Sequence, residues 1–342
     1  MAELVSILIP AYNAQNWIAD TIRSALAQTW PNKEIVVVDD GSSDNTLKIA
    51  RTFESENVKV VTQKNKGACG ARNKAYGIAQ GSYIQWLDAD DLLSPDKISL
   101  QLKRSGDGHT SKVLLTSAFG TFFFRHRKAK FEPNALWKDL SPVEWIIRKF
   151  TESVWMNPTT WLVSRRLAEL AGPWDERLSS HGDDDGEYIC RVVSAAERVK
   201  FVSGARCYYR IGNVESLGWT KGKSEEGLEL LYLSHRLSFT HLLSLEDSER
   251  TRRACLRYLE TWLQACYPEK PDLVTTVSNL FHELGGRLPS PTTSWKYYVI
   301  QKALGWKTAR RVMSNWRKAK LLVCRNLDRL LYSIEKTSHN SG

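Results

Sequence analysis

Apolar runs set off by polar residues organise the first hundred residues of this chain. Val5-Ser6-Ile7-Leu8-Ile9, Glu34-Ile35-Val36-Val37-Val38, Val58-Lys59-Val60-Val61 and Tyr83-Ile84-Gln85-Trp86-Leu87 read as strands. Between them the period lengthens to that of a helix. Residues 16–28 carry apolar side chains at 17, 18, 22, 25 and 26, and residues 71–79 also read as helix. Ser42-Ser43-Asp44 supplies N-cap residues for a helix running to about Phe53. Strands alternating with helices predict a mostly parallel sheet with right-handed crossovers, flanked by helices. Such sheets bind ligands beyond the carboxyl ends of their strands. Polar residues collect at those ends: Tyr12-Asn13, Asp39-Asp40, Gln63-Lys64-Asn65 and Asp88-Ala89-Asp90.

After residue 112 the alternation loosens. Residues 113–124 read as one or two strands, and residues 141–150 as a helix with Ser141 at the N-cap and Pro142 at the first helical position. A strand at 160–164, a helix at 165–171 closed by Gly172-Pro173, a helix at 184–196 and a strand near 199–202 follow. From Ser224 onward the pattern is helical, with breaks at Tyr267-Pro268 and Gly285-Gly286. Gly218, Gly222 and Gly227 cluster, which places a boundary between 218 and 225: an α/β domain over 1–220 and a helical C-terminal region over 221–342.

Composition narrows the class. Apolar residues make up 42% of the 342 and charged residues 25%, ordinary values for a globular chain. No apolar stretch reaches the roughly 18–20 residues of a membrane-spanning helix, and the amino terminus lacks a signal-peptide pattern. The cysteines at 69, 190, 207, 255, 266 and 324 form no C-x-x-C pair, which argues against a zinc site and suits a reducing cytoplasm. The net charge is +10, but residues 290–342 hold eleven Lys/Arg against two Asp/Glu, leaving the rest near neutral. Apolar positions 306, 309, 312, 313, 316, 319, 323, 327, 330, 331 and 334 form a helical stripe in that basic tail. Two readings stand: a peripheral membrane contact at the cytoplasmic face, or a helix packing its stripe on the body. No nucleic-acid motif accompanies the charge.

The candidate chemistry lies in carboxylates. Asp88-Ala89-Asp90-Asp91 crowds three of them directly after a buried strand, an arrangement that a divalent cation relieves. The bland alternative is an acidic turn capping the helix after Ser94-Pro95-Asp96. Two other segments share this polar character: Val36-Val37-Val38-Asp39-Asp40-Gly41-Ser42-Ser43-Asp44, and Gly172-Pro173-Trp174-Asp175-Glu176 followed by Asp184-Asp185-Gly186-Glu187. With Pro10-Ala11-Tyr12-Asn13 and Asn65-Lys66-Gly67-Ala68-Cys69-Gly70-Ala71-Arg72-Asn73, the set resembles the family 2 glycosyltransferases over roughly residues 4–212. These are inverting enzymes of the GT-A nucleotide-diphospho-sugar transferase fold.

The resemblance implies a role for each position. Pro10, Ala11, Tyr12 and Asn13 would meet the base and ribose of a nucleotide-diphosphate sugar donor, and Asp39 would accept a hydrogen bond from the base. Asp40 would stand beside it, or only cap next to Gly41. Lys64, Gly67 and Arg72 would approach the base and diphosphate, with Arg72 alternatively a partner for Asp39. Asp88, with Ala89 beside it, would reach the ribose and the metal's water shell. Asp90 would hold Mg²⁺ or Mn²⁺. Asp185 matches the catalytic base in register with Arg191, and Asp184 stands where the family usually has Glu. Three consecutive aspartates make Asp184 its competitor. Arg210, in a Tyr-Arg segment, would pair with the diphosphate from a cover at 209–213. Trp155, with Asn157 and Trp161, would line the site for a glycan or lipid-linked acceptor. The expected activity is metal-dependent, inverting transfer in polysaccharide or glycoconjugate synthesis. A nucleotidyltransferase or a non-catalytic sugar-nucleotide-binding protein are the alternatives.

Overall fold

The computed structural model describes residues 2–105, 111–179, 183–212, 225–266, 271–287 and 319–335, with five single positions between 302 and 316. The strands are β1 (Val5–Ala11), β2 (Lys33–Asp39), β3 (Val58–Thr62), β4 (Tyr83–Trp86), β5 (Leu92–Leu93), β6 (Val113–Phe122), β7 (Lys130–Phe131), β8 (Leu162–Ser164) and β9 (Arg198–Arg210). They form one sheet in the order β3-β2-β1-β4-β8-β6-β9-β5, with β7 beside β6. The helices of the α/β part are α1 (Ile18–Leu26), α2 (Thr46–Arg51), α3 (Gly67–Ile78), α4 (Lys97–Ser105), α5 (Pro142–Thr151), α6 (Arg165–Ala171) and α7 (Asp184–Ala195).

The first four strands are the parallel half. Val5 of β1 lies opposite both Lys33 and Tyr83, and Ile35 opposite Val58. Their apolar runs are continuous because helices cover both faces, so nearly every residue of β1 and β4 is buried. The second half is mixed: β8 runs antiparallel to β4 and β6, while β9 runs parallel to β6. Strands β4, β6 and β9 therefore point the same way and end at one edge of the sheet.

Several sequence expectations shift at this level. The strand expected near 199–202 continues to Arg210, because the register slips between Ser117 and Ala118 and absorbs Ser203-Gly204-Ala205. That bulge bends the far half of β9 onto β5, setting Leu92 opposite Tyr208. Residues 113–124 form one strand rather than two. Helix α2 begins at Thr46 and ends at Arg51, with Asp44 accepting the Thr46 backbone N–H. Helix α5 keeps its expected start, since the Ser141 hydroxyl accepts from the Glu144 N–H. Gly172 closes α6 at φ +78°, a conformation that costs glycine little.

Beyond the α/β part lie α8 (Glu225–Leu245), α9 (Glu249–Cys266) and α10 (Pro271–Glu283). The boundary expected at 218–225 falls outside the described residues. Either side of it shares one hydrophobic core: Phe150 of α5 meets Phe239 at 5.2 Å and Tyr258 at 4.8 Å between ring centroids. The five cysteines described are free. Among the described residues, no helix is long and apolar enough to cross a membrane.

The tail helix, residues 319–335, settles against the body with its polar face. Asp328 accepts the Phe124 and Arg125 backbone N–H groups at 3.0 and 3.3 Å and the Arg125 guanidinium at 2.8 Å. Trp316, Val323, Leu327, Leu330 and Ile334 remain exposed. The expectation that the apolar stripe packs on the body therefore fails for this segment. A half-buried backbone edge at 124–125 outcompetes it by offering donors that a carboxylate satisfies.

Candidate active site

The acidic turn after β4 is held from below. Thr21 of α1 donates to the carbonyls of Ala89 and Asp91, each at 2.9 Å. Asp91, fully buried, accepts from Asn157 Nδ2 (3.0 Å), Thr159 Oγ1 (2.8 Å) and the Arg210 backbone N–H (2.9 Å). Burial first, then the Asp90 and Asp88 charges, push its carboxyl well above the usual range. Asp91 is thus the anchor that aims its two neighbours. Sequence reading counted it among three carboxylates and missed this role. Asn157 serves the anchor and Trp161 is fully buried, so neither lines an acceptor site.

Opposite the turn, α7 begins with Asp183, Asp184 and Asp185. Each has a different fate. Asp183 accepts from Ser234 at 2.8 Å and lies 3.6 Å from His235, which ties α7 to α8. Asp184 accepts from Arg72 at 2.6 Å and from the Cys69 thiol at 3.4 Å. Asp185 is half-buried and has no side-chain hydrogen bond among the described residues. Burial, followed by the charges of Asp184 and Asp183, pushes its carboxyl up to about 8 against the pull of Lys149 and Arg72.

Arg72 joins the two acidic groups. From α3 it reaches Asp184 with Nη1 and Asp88 with Nη2, the latter at 2.9 Å, and its guanidinium lies 4.3 Å over Trp174. Burial opposes its charge, yet the Asp184 and Asp88 carboxylates outweigh that and raise its pKa. Its partner is not Asp39. Trp174 is itself fixed by stacking on Tyr188 (3.9 Å) and edge-on to Trp86 (5.3 Å). Tyr209 lies near both groups: after burial, Asp91, Asp90, Asp185 and Asp88 all raise its phenol.

On the β1–β2 side, Asn13 takes φ +47°, donating its N–H to Ser42 Oγ (3.0 Å) and accepting from the Ser43 N–H (2.9 Å). This leaves Tyr12 projecting at 53% exposure, after the nearly buried Pro10-Ala11 step. Asp39 is 1% exposed; its Oδ2 accepts from Thr62 at 3.0 Å, while Oδ1 is buried without a partner among the described residues. Such an orphan acceptor is costly and suits a ligand N–H. Asp40 accepts the backbone N–H groups of Lys66 (2.9 Å) and Gly67 (2.8 Å) and the Gln63 amide (2.8 Å), so it holds the loop entering α3. Lys64 is exposed on that loop. Gly67 has φ +78°, and a Cβ there would lie 2.6 Å from Ser179 Cβ.

Two expected contacts change character. Arg210 is the last residue of β9 rather than part of a cover, and it is 7% exposed. Its Nε donates to the Asp90 carbonyl (2.9 Å), Nη1 to the Phe123 carbonyl (2.7 Å), and Trp17 and Phe122 flank it at 4.1 and 4.4 Å. A guanidinium so placed braces the turn from behind. Asn213 of the expected cover lies outside the described residues. Trp155 is 43% exposed and touches Phe119 (5.2 Å) and Tyr209 (5.1 Å), an aromatic rim beside the acidic groups.

Asp88 and Asp90 offer hard oxygen donors of the kind Mg²⁺ or Mn²⁺ prefers. No cluster of three or more His, Cys, Asp or Glu stands ready for a metal among the described residues. Two carboxylates fit a cation that completes its shell with ligand phosphate and water.

A doubly wound half-sheet, a D-x-D turn at its carboxyl edge and an acidic helix start facing it define the GT-A class of glycosyltransferase fold. Residues 6–165 match the family model for glycosyl transferase family 2, and this part of the chain belongs to that family. The solved structure of S. aureus TarS in complex with UDP-GlcNAc shares the fold with a TM-score of 0.64 at 19% identity, over 82% of this chain and 80% of that one. Glycosyltransferase GlyG of Streptococcus pneumoniae is 29% identical over 61% of this chain and 71% of its own. The Escherichia coli UDP-Glc:alpha-D-GlcNAc-diphosphoundecaprenol beta-1,3-glucosyltransferase WfgD is 44% identical over 29% of this chain. The chain spans only 40% of WfgD's length and 15% of that of E. coli chondroitin synthase, another relative.

Proposed function

We propose that the protein is a metal-dependent inverting glycosyltransferase that moves a sugar from a nucleoside diphosphate to a hydroxyl of a glycan or lipid-linked acceptor. The single observation that carries this reading is the pairing of Asp185, half-buried and without a side-chain hydrogen bond among the described residues, with a D-x-D turn joined to the same helix start through Arg72. Asp184 is committed to Arg72, which favours Asp185 as the base. UDP-GlcNAc bound to TarS and the UDP-glucose named for WfgD favour a uridine donor. WfgD's diphosphoundecaprenol acceptor favours a lipid-linked one.

In this reading the Tyr12-Asn13 loop and the Asp39 Oδ1 atom hold the base, and the 64–67 loop borders the diphosphate. Asp90 and Asp88 would hold Mg²⁺ or Mn²⁺, which neutralises charge on the departing diphosphate when bound. Asp185 takes the proton from the acceptor hydroxyl. That oxygen forms its bond to the anomeric carbon as the carbon–oxygen bond to the diphosphate breaks on the opposite face, so the configuration inverts. Trp155 and Tyr209 offer aromatic faces to the acceptor sugar. The tail helix, with its exposed apolar stripe and surrounding basic residues, rests on the cytoplasmic face of the membrane. A nucleotidyltransferase is less well supported, because Ala11-Tyr12-Asn13-Ala14 is not a glycine-rich basic loop.

The test is release of UDP from a panel of UDP-sugars in the presence of Mn²⁺ and acceptor. Asp185→Asn lowers acceptor-dependent release by about 10²–10⁴-fold while UDP affinity persists. Retained transfer in that variant removes Asp185 from the role and the reading with it.

A further inference from the structure

The face of the tail helix turned toward the body borders an open cavity of about 770 Å³, lined among others by Trp17, Asp20, Phe124, Arg210, Arg325 and Arg329. Arg325 and Arg329 stand one helical turn apart, and neither makes an ion pair among the described residues. Asp20, the one acidic lining residue among the described residues, already pairs with Arg23 at 2.9 Å. The cavity is therefore cationic. Its walls are aromatic as well: Trp17 meets Phe124 at 5.6 Å, and Phe124 meets Tyr332 at 6.1 Å.

Position on the fold gives this cavity meaning. It opens where β6 and β9 end, the same edge at which β4 delivers the D-x-D turn, and Arg210 bonds it directly to the Asp90 carbonyl. The outer face of the same helix carries Val323, Leu327, Leu330 and Ile334, exposed by between 57% and 68%. A helix with an apolar outer stripe lies at a lipid surface. Its inner arginines then sit just above the depth at which the charged head of an amphiphile emerges.

We propose that this cavity binds the diphosphate head of a lipid-linked acceptor. Two guanidiniums a turn apart, without an ion pair among the described residues and with Arg210 behind them, match a multiply charged diphosphate through paired N–H donors. The phosphate of an ordinary bilayer lipid meets cations flanking the outer stripe, such as Lys320, not arginines on the opposite face of the helix. This inference rests on the lipid-linked reading above and deepens it.

The experiment uses the full chain saturated with UDP and Mn²⁺, and measures binding of farnesyl diphosphate, farnesol and phosphatidylglycerol vesicles. Farnesyl diphosphate binds, and the Arg325→Gln/Arg329→Gln double variant binds it at least tenfold more weakly. Farnesol binds poorly to both, and vesicle affinity stays within twofold. Arg329→Glu alone, a change at an exposed side chain, reproduces the loss with UDP affinity intact. Equal farnesyl diphosphate affinity in wild type and variants overturns the proposal. So does a loss of vesicle binding with farnesyl diphosphate unaffected, which assigns the arginines to bilayer headgroups. Because binding is read without turnover, retained transfer in Asp185→Asn speaks only against the catalytic reading.

Discussion

Half-buried Asp185 and fully buried Lys97 are two ionisable groups that each tie a property of the protein to pH. Asp185 ionises only as pH rises through about 8, so the base form accumulates on the alkaline side. Acceptor transfer, measured as kcat/KM, rises with pH through an acid limb near that value. Asp185→Asn lowers kcat by about 10²–10⁴-fold, the usual worth of a general base, and erases the limb. Lys97 is fully buried with Nζ donating to Gln85 Oε1 (2.5 Å) and Gln101 Oε1 (2.7 Å), and burial lowers it to about 7. The unfolded chain binds a proton there that the folded chain lacks between about pH 7 and the ordinary lysine value near 10.4. Stability from this group therefore grows as pH rises across that window. Thermal unfolding checks it: the Tm of wild type gains on that of Lys97→Met between pH 7 and pH 9.

At the scale of elements, loops at the sheet edge are set by side chains from other elements. Asp40, at the end of β2, takes two backbone N–H groups and one amide from the loop that starts α3. Asp40→Asn turns one acceptor oxygen into a donor facing N–H groups. That costs about 1–3 kcal/mol of stability, in line with unsatisfied buried donors. The loosened loop also raises the KM for the donor sugar more than it lowers kcat, which steady-state kinetics will separate. Trp174 works similarly as a floor for Arg72. Its replacement by alanine removes a stacked aromatic and lowers stability by about 3–5 kcal/mol in denaturant unfolding.

Across the whole molecule, the tail helix is fastened by polar bonds and leaves its apolar side outward. Leu327→Glu/Leu330→Glu places charges on exposed positions and shifts folding stability by no more than about 0.5 kcal/mol. The same change removes co-sedimentation with phosphatidylglycerol vesicles. Unaltered co-sedimentation rules out this stripe as the membrane contact.

The sequence by itself determined the parallel half-sheet and the ends at which polar residues gather, while the pairing of the acidic turn with the acidic helix start came only from the family resemblance. Those features are local: a period of two or 3.6, a glycine stop, a cap, carboxylates at fixed spacing. Only the tertiary structure decided how three adjacent aspartates divide their work, since that depends on Ser234, Arg72 and Cys69, which lie far from them in the chain. The same holds for Asp91 as anchor, Arg210 as brace and the tail's choice of face. Each is a contest among distant donors and acceptors for one buried group, and periodicity carries no record of which partner wins.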